Sequence, residues 1–165
     1  NDLTRNMNMF VISEDSSGNF EQPSTVLKDN LKTWLNSVRM VNDSVDILNA
    51  SVLNLGIEFE IIAKQDVNKH ATFNLAKEEI FRELNEVKPE IGEPFHVTEI
   101  FKILKDVPEI LDVVNVKITS KTGADYSSFS YSIEDNLSPE GRVVYIPQDC
   151  VWEIKFKSDI TGAVR

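Results

Sequence analysis

The sequence predicts an α+β fold: a two-layer sandwich with a mixed three-stranded core sheet and two crossover helices on one face, preceded by an N-terminal strand and helix. Three observations predict it. Leu53, Leu55, Ile57, Phe59 and Ile61 alternate with Asn54, Gly56, Glu58 and Glu60, the period of a strand with one apolar face. Two consecutive stretches with helical spacing of apolar residues follow. Two further alternating segments then complete the chain, so the order strand, helix, helix, strand, returning strand describes a crossover and a mixed sheet.

Taken in order, Met7 to Ile12 reads as a strand, and Ser13-Glu-Asp-Ser-Ser-Gly-Asn19 has the turn chemistry of a loop. After Pro23, Ser24 or Thr25 caps a helix at about 25 to 41, with Leu27, Leu31, Trp34, Leu35 and Val38 as its buried stripe. Alternation runs from Asp46 to Lys64. Asn68 caps a second helix to about Val87, with Phe73, Ala76, Ile80, Leu84 and Val87 inward, and Pro89 and Gly92 mark its stop. Val97, Ile100, Phe101 and Leu104 place a third helix at 97 to 106, ended by Pro108. Val114, Val116 and Ile118 form the next strand, and Trp152, Ile154 and Phe156 the last. The outer sheet face then carries Glu58, Glu60, Lys117, Glu153 and Lys155, a solvated surface with charges paired across strands. Two parts result: a strand-loop-helix arm at 1–45 and a β-αα-β-β domain at 46–165, with a polar excursion at about 121–149, too long for a simple hairpin loop.

Composition narrows the function. The 165 residues are 41% hydrophobic and 27% charged, a folded, water-soluble balance. The net charge of −10 and the lack of a basic stripe argue against a nucleic-acid partner. No apolar run is long enough to span a bilayer, so no membrane role is expected. A single cysteine, Cys150, excludes an internal disulfide and a CxxC metal site and fits folding in the cytoplasm. The first residue, Asn1, reads as the start of a piece of a longer protein.

Signals for chemistry are few. His70 and His96 open two different helices and have no placed carboxylate partners, so no metal is expected. Cys150 sits in a strand as a small apolar residue, and the adjacent Glu78 and Glu79 point in diverging directions. Phosphate-binding and acyl-transfer motifs are absent, and neither cofactor nor catalytic residue is assigned. The expectation is a protein that is not an enzyme. Residues suited to recognition are Tyr126, Phe129 and Tyr131 in the serine-rich Asp125 to Ser132 segment, and Met7, Met9 and Phe10 in the first strand. Each set serves equally well for packing at home.

Asn6-Met-Asn-Met-Phe-Val-Ile-Ser13, the run from Leu31 to Ile47, Asn54-Leu-Gly-Ile-Glu-Phe-Glu-Ile61, and Ile146-Pro-Gln-Asp-Cys-Val-Trp-Glu-Ile-Lys-Phe156 followed by Asp159-Ile-Thr-Gly162 carry a further signal. Together they resemble the C-terminal part of the baseplate wedge proteins (baseplate J-like) of contractile-tailed bacteriophages. The resemblance implies a virion structural protein that folds in the host cytoplasm. Its copies join one another around the tail hub and bind neighbouring wedge proteins, without catalysis. The larger N-terminal region of that family has no counterpart here. Two other classes fit the residues: a small peptide- or ligand-binding module, and an acid/base hydrolase with carboxylates gathered from distant positions. On the assembly reading, removing residues 1 to 12, or replacing Phe129 and Tyr131 by Ala, weakens self-association and leaves the fold intact.

Overall fold

The computed structural model describes residues 5–38 and 43–165. Among these residues it is an α+β protein, with three α-helices and several small sheets. Contacts divide it after Ser51, into residues 1–51 and 52–165. The sequence places the division at 45/46, just ahead of one alternating stretch from Asp46 to Lys64. That stretch is two strands with different partners, which moves the division.

In the first unit, β1 (Arg5–Val11) pairs in parallel with β4 (Asp43–Asn49), with Met7 opposite Val45, Met9 opposite Ile47 and Phe10 opposite Leu48. Parallel neighbours need a crossover connection, and α1 (Thr25–Val38) supplies it. The loop expected at 13–19 is the tip of a short hairpin, β2 (Ser13–Glu14) with β3 (Phe20–Glu21). Asp15 Oδ1 accepts from the Ser17 and Asn19 N–H groups at 2.7 and 3.0 Å, and Gly18 turns the chain at φ +81°. Ser24 Oγ caps α1 by accepting from the Leu27 N–H at 3.2 Å. The last turn expected for this helix, at 39–41, lies outside the described residues.

The second unit is built on β5 (Ser51–Ala63). It runs antiparallel to β7 (Ile110–Lys121) and parallel to β10 (Ile160–Val164), and β9 (Cys150–Glu153) also pairs with it. The sheet therefore has four strands, not the three expected. The addition is β10, a five-residue strand whose Gly162 interrupts the alternation that would have revealed it. A side chain at Gly162 would run into the Phe59 carbonyl oxygen, so only glycine lets the two backbones lie this close.

Leu53, Leu55, Ile57, Phe59 and Ile61 are at most 2% exposed and form one cluster with the helices. α2 (Lys69–Glu86) is capped by Asn68, whose side chain accepts from the His70 and Ala71 N–H groups at 2.9 and 3.1 Å. It buries Thr72, Ala76, Ile80 and Leu84, one residue per turn. Phe73 is half-buried and stacks on Phe59 at 5.6 Å. Val87, expected inward, is exposed because the helix ends at Glu86 and Val87 is extended. α3 (Val97–Asp106) buries Val97, Ile100 and Leu104 as the spacing requires. Just before it, β6 (Phe95–His96) pairs with β8 (Val143–Val144), and Phe95 meets Trp152 edge to face at 4.9 Å.

Two other expectations fail for local reasons. Alternation places Val114 on the buried face of its strand, yet it is exposed and Val113 is buried. The register with β5 shifts between Glu60 and Ile61 and again between Ile62 and Ala63, leaving Val114 and Leu111 as extra residues that bulge outward. Such bulges also blunt this edge strand against pairing with foreign strands. The outer sheet face is not solvated throughout. Glu58 lies opposite Lys117 and is exposed, but Asn54 and Glu153 are buried, and Phe156, assigned inward, lies beyond the end of β9 and is exposed. The excursion at 121–149 is packed: Ile133, Val144 and Ile146 join the core, and Glu134–Asn136 forms a 3₁₀ turn.

Candidate functional site

An amphipathic helix is stable when its apolar stripe is covered. The α1 sequence writes such a stripe, yet none of its residues is buried. Leu27, Trp34 and Val38 are 51%, 60% and 61% exposed, and Leu31 and Leu35 are half-buried. Next to the stripe, Val11, Ile12, Pro23, Leu27 and Leu31 line a mostly apolar hollow of about 280 Å³. On β1, Met7 is exposed while Met9 and Phe10 are half-buried, and Leu48 of β4 is also exposed. Among the described residues the β1–β4 sheet has no third strand. An isolated two-stranded sheet is marginal in water and depends on packing against a helix. Covering the exposed parts of Leu27, Trp34 and Val38 would stabilise by about 1–2 kcal/mol for each side chain. This face can do one thing well, which is to bind another apolar surface.

The other residues chosen from sequence have different surroundings. The Tyr126 hydroxyl donates to Asp159 Oδ1 at 2.6 Å, and its ring meets Phe156 edge to face at 5.7 Å. The hydrogen bond to Asp159 is the main reason that the Tyr126 hydroxyl is pushed up to about 12, with burial and the charge of Asp159 adding to it. Phe129 stacks on Tyr131 at 6.1 Å, both pack against the core, and the Tyr131 hydroxyl donates to the Tyr145 carbonyl at 2.6 Å. Burial, with a smaller contribution from Cys150, raises the Tyr131 pKa. The aromatic segment thus fastens the excursion to its own unit.

Beneath it lies a polar cluster that sequence reading missed. Asn54 Nδ2 donates to Glu153 Oε1 at 2.9 Å, and Asn54 Oδ1 accepts from the Ser127 N–H at 2.8 Å. Asp159 also accepts from the Phe156 N–H at 3.1 Å through Oδ2, while Lys155 donates to the Asp125 carbonyl. Glu153 and Asp159 are each 4% exposed, and buried carboxylates persist where hydrogen-bond donors surround them. Gly56 belongs to the same region. A Cβ there would come 2.6 Å from Lys121 Cε and 2.7 Å from Thr119 Oγ1. No signal in the sequence marks it, because Asn54 falls in step with Glu58 and Glu60 on the polar face of the strand; only its burial shows that the amide demands partners.

His70 and His96 are exposed at the starts of α2 and α3, and among the described residues no three His, Cys, Asp or Glu side chains gather as a metal site. Cys150 is buried in the core. Glu78 and Glu79 take different partners: Lys157 lies 2.5 Å from Glu78 and holds its carboxyl below the ordinary range, whereas Glu79 pairs with Arg82 at 2.6 Å. Among the described residues, no helix is long and apolar enough to cross a membrane. Compared with models of known protein families and with curated protein sequences, the chain matches none.

Proposed function

We propose that this chain is a structural subunit of the baseplate wedge of a contractile phage tail. In this reading it has no catalytic role, joins further copies of itself around the tail hub, and binds neighbouring wedge proteins in the virion after folding in the host cytoplasm. The observation that carries the assembly role is the uncovered stripe of α1. The wedge itself comes from the family resemblance of the sequence. Residues 52–165 serve as the scaffold, a two-layer sandwich with α2 and α3 on one face of the sheet.

Sedimentation velocity over a range of concentrations tests the reading. The expected result is a mass that rises with concentration, and a monomer at the same concentrations for Leu27→Ser/Trp34→Ser. A monomeric mass for the unaltered chain at every concentration would overturn self-association. A second reading, a small peptide-binding module without catalysis, draws on the apolar hollow of about 280 Å³ beside Leu27. It predicts a monomer that holds a short apolar peptide with 1:1 stoichiometry.

A further inference from the structure

The helices α2 and α3 border a second recess. One hollow of about 320 Å³ and an adjoining one of about 260 Å³ share Glu79, Ile103 and Asp106 in their walls. Leu75, Leu84 and Ile103 supply apolar surface. The rim carries the carboxylates of Glu79, Glu83, Glu99 and Asp106 against only two cations, Arg82 and Lys102. Arg82 is already held by Glu79 and Glu83 at 2.6 and 2.7 Å. In addition, α2 has no basic residue in its last turn, so Glu83 and Glu86 stand at the negative end of the helix dipole, where carboxylates are disfavoured. A cation brought to this rim gains from both effects.

The lining runs from Leu75 to Leu84 along α2, about 13 Å at ~1.5 Å per residue, room for roughly two to three turns of a helix. The chain itself contains a helix with the matching properties. Leu27 and Trp34 of α1 are exposed and Leu31 is half-buried, over about 10 Å at the same rise; on the same two turns Lys32 is exposed, while Lys28 is half-buried and donates to Asn49 Oδ1 at 3.2 Å. We propose that α1 of one copy docks in the α2–α3 recess of a second copy, its leucines and Trp34 on Leu75 and Ile103, its Lys32 toward Glu83, Glu99 and Asp106. Apolar anchors on i, i+4 and i+7 in a groove are a recurrent recognition mode, here with a charged rim to orient the helix. Because the two surfaces differ, the contact is head-to-tail, and such contacts close into rings or run on as filaments. This rests on the proposed assembly role and specifies its geometry.

The test compares two sets of neutralising substitutions that bring the net charge from −10 to −7. Glu83→Gln/Glu99→Gln/Asp106→Asn alters the rim, and Glu134→Gln/Asp135→Asn/Glu140→Gln alters an exposed loop as the control. Circular dichroism verifies that each folds. In sedimentation, the rim variant is expected to weaken self-association by about tenfold or more, the control by no more than about twofold. Mixing a rim-defective chain with the α1-defective Leu27→Ser/Trp34→Ser chain is expected to restore one contact and stop at dimers. Equal effects of rim and control sets, or no dimer in the mixture, would overturn head-to-tail docking. If the α1 variant alone loses association while the rim variant keeps it, the assembly role stands and this geometry fails.

Discussion

At the scale of single residues, the hydrogen bond between Tyr126 and Asp159 has the clearest consequences. Asp159 is buried, so Tyr126→Phe removes a donor from a desolvated carboxylate, an expected loss of about 1–3 kcal/mol measured by urea unfolding. The pH dependence follows from the raised pKa. Tyr126 is neutral when protonated and gives up its proton less readily in the folded chain than the ordinary value near 10. Its contribution to stability is therefore complete below pH 10 and is lost as pH rises toward about 12. Tyrosine absorbance at alkaline pH should show a late-ionising group that vanishes in Tyr126→Phe. Phe129 and Tyr131 also change meaning. They pack on the core, so Phe129→Ala/Tyr131→Ala is expected to lower the unfolding midpoint rather than act on association alone.

Single elements show where local rules suffice. Replacing Asn68 by Ala leaves two N–H groups of α2 without their cap, an expected cost of about 1 kcal/mol in chemical unfolding. Strand contacts separate two glycines that look alike in sequence. A Cβ at Gly162 meets the Phe59 backbone, which cannot step aside without parting β10 from β5, so Gly162→Ala should cost about 1–3 kcal/mol. At Gly56 the nearest neighbours are the side chains of Lys121 and Thr119, and Lys121 can swing away, so Gly56→Ala should cost less. The elements most legible in the sequence were α2 and α3, whose caps and 3.6-residue stripes are local properties. The β7 bulges were not legible, because an extra residue in one strand is defined only against its partner.

For the molecule as a whole, the division into two units separates two kinds of stability. Residues 52–165 hold the large buried cluster, whereas residues 1–51 leave an apolar helix face exposed. Removing residues 1–12 deletes β1, the only strand paired with β4 among the described residues, and should unravel the first unit. Amide hydrogen exchange is expected to show loss of protection in Ser44 to Asn49 and retained protection in β5. Retained protection in β4 would contradict this. The experiment also separates loss of fold from loss of association, which truncation by itself confounds.

By itself, the sequence determined the α+β class, the strand at Leu53 to Ile61 with its apolar face, the two following helices and their caps. These rest on periodicity and on hydrogen bonds between near neighbours in the chain, which a sequence displays directly. Tertiary structure alone decided that the Asp46 to Lys64 stretch is two strands with separate partners, and that β10 adds a fourth strand to the sheet. It also decided that Phe129 and Tyr131 pack on the core, that Tyr126 bonds to Asp159, and that the α1 stripe stays uncovered. Periodicity says which residues of an element are apolar and on which side they lie. Whether that side is covered depends on what the rest of the chain brings to it, and the sequence of α1 carries no record of that.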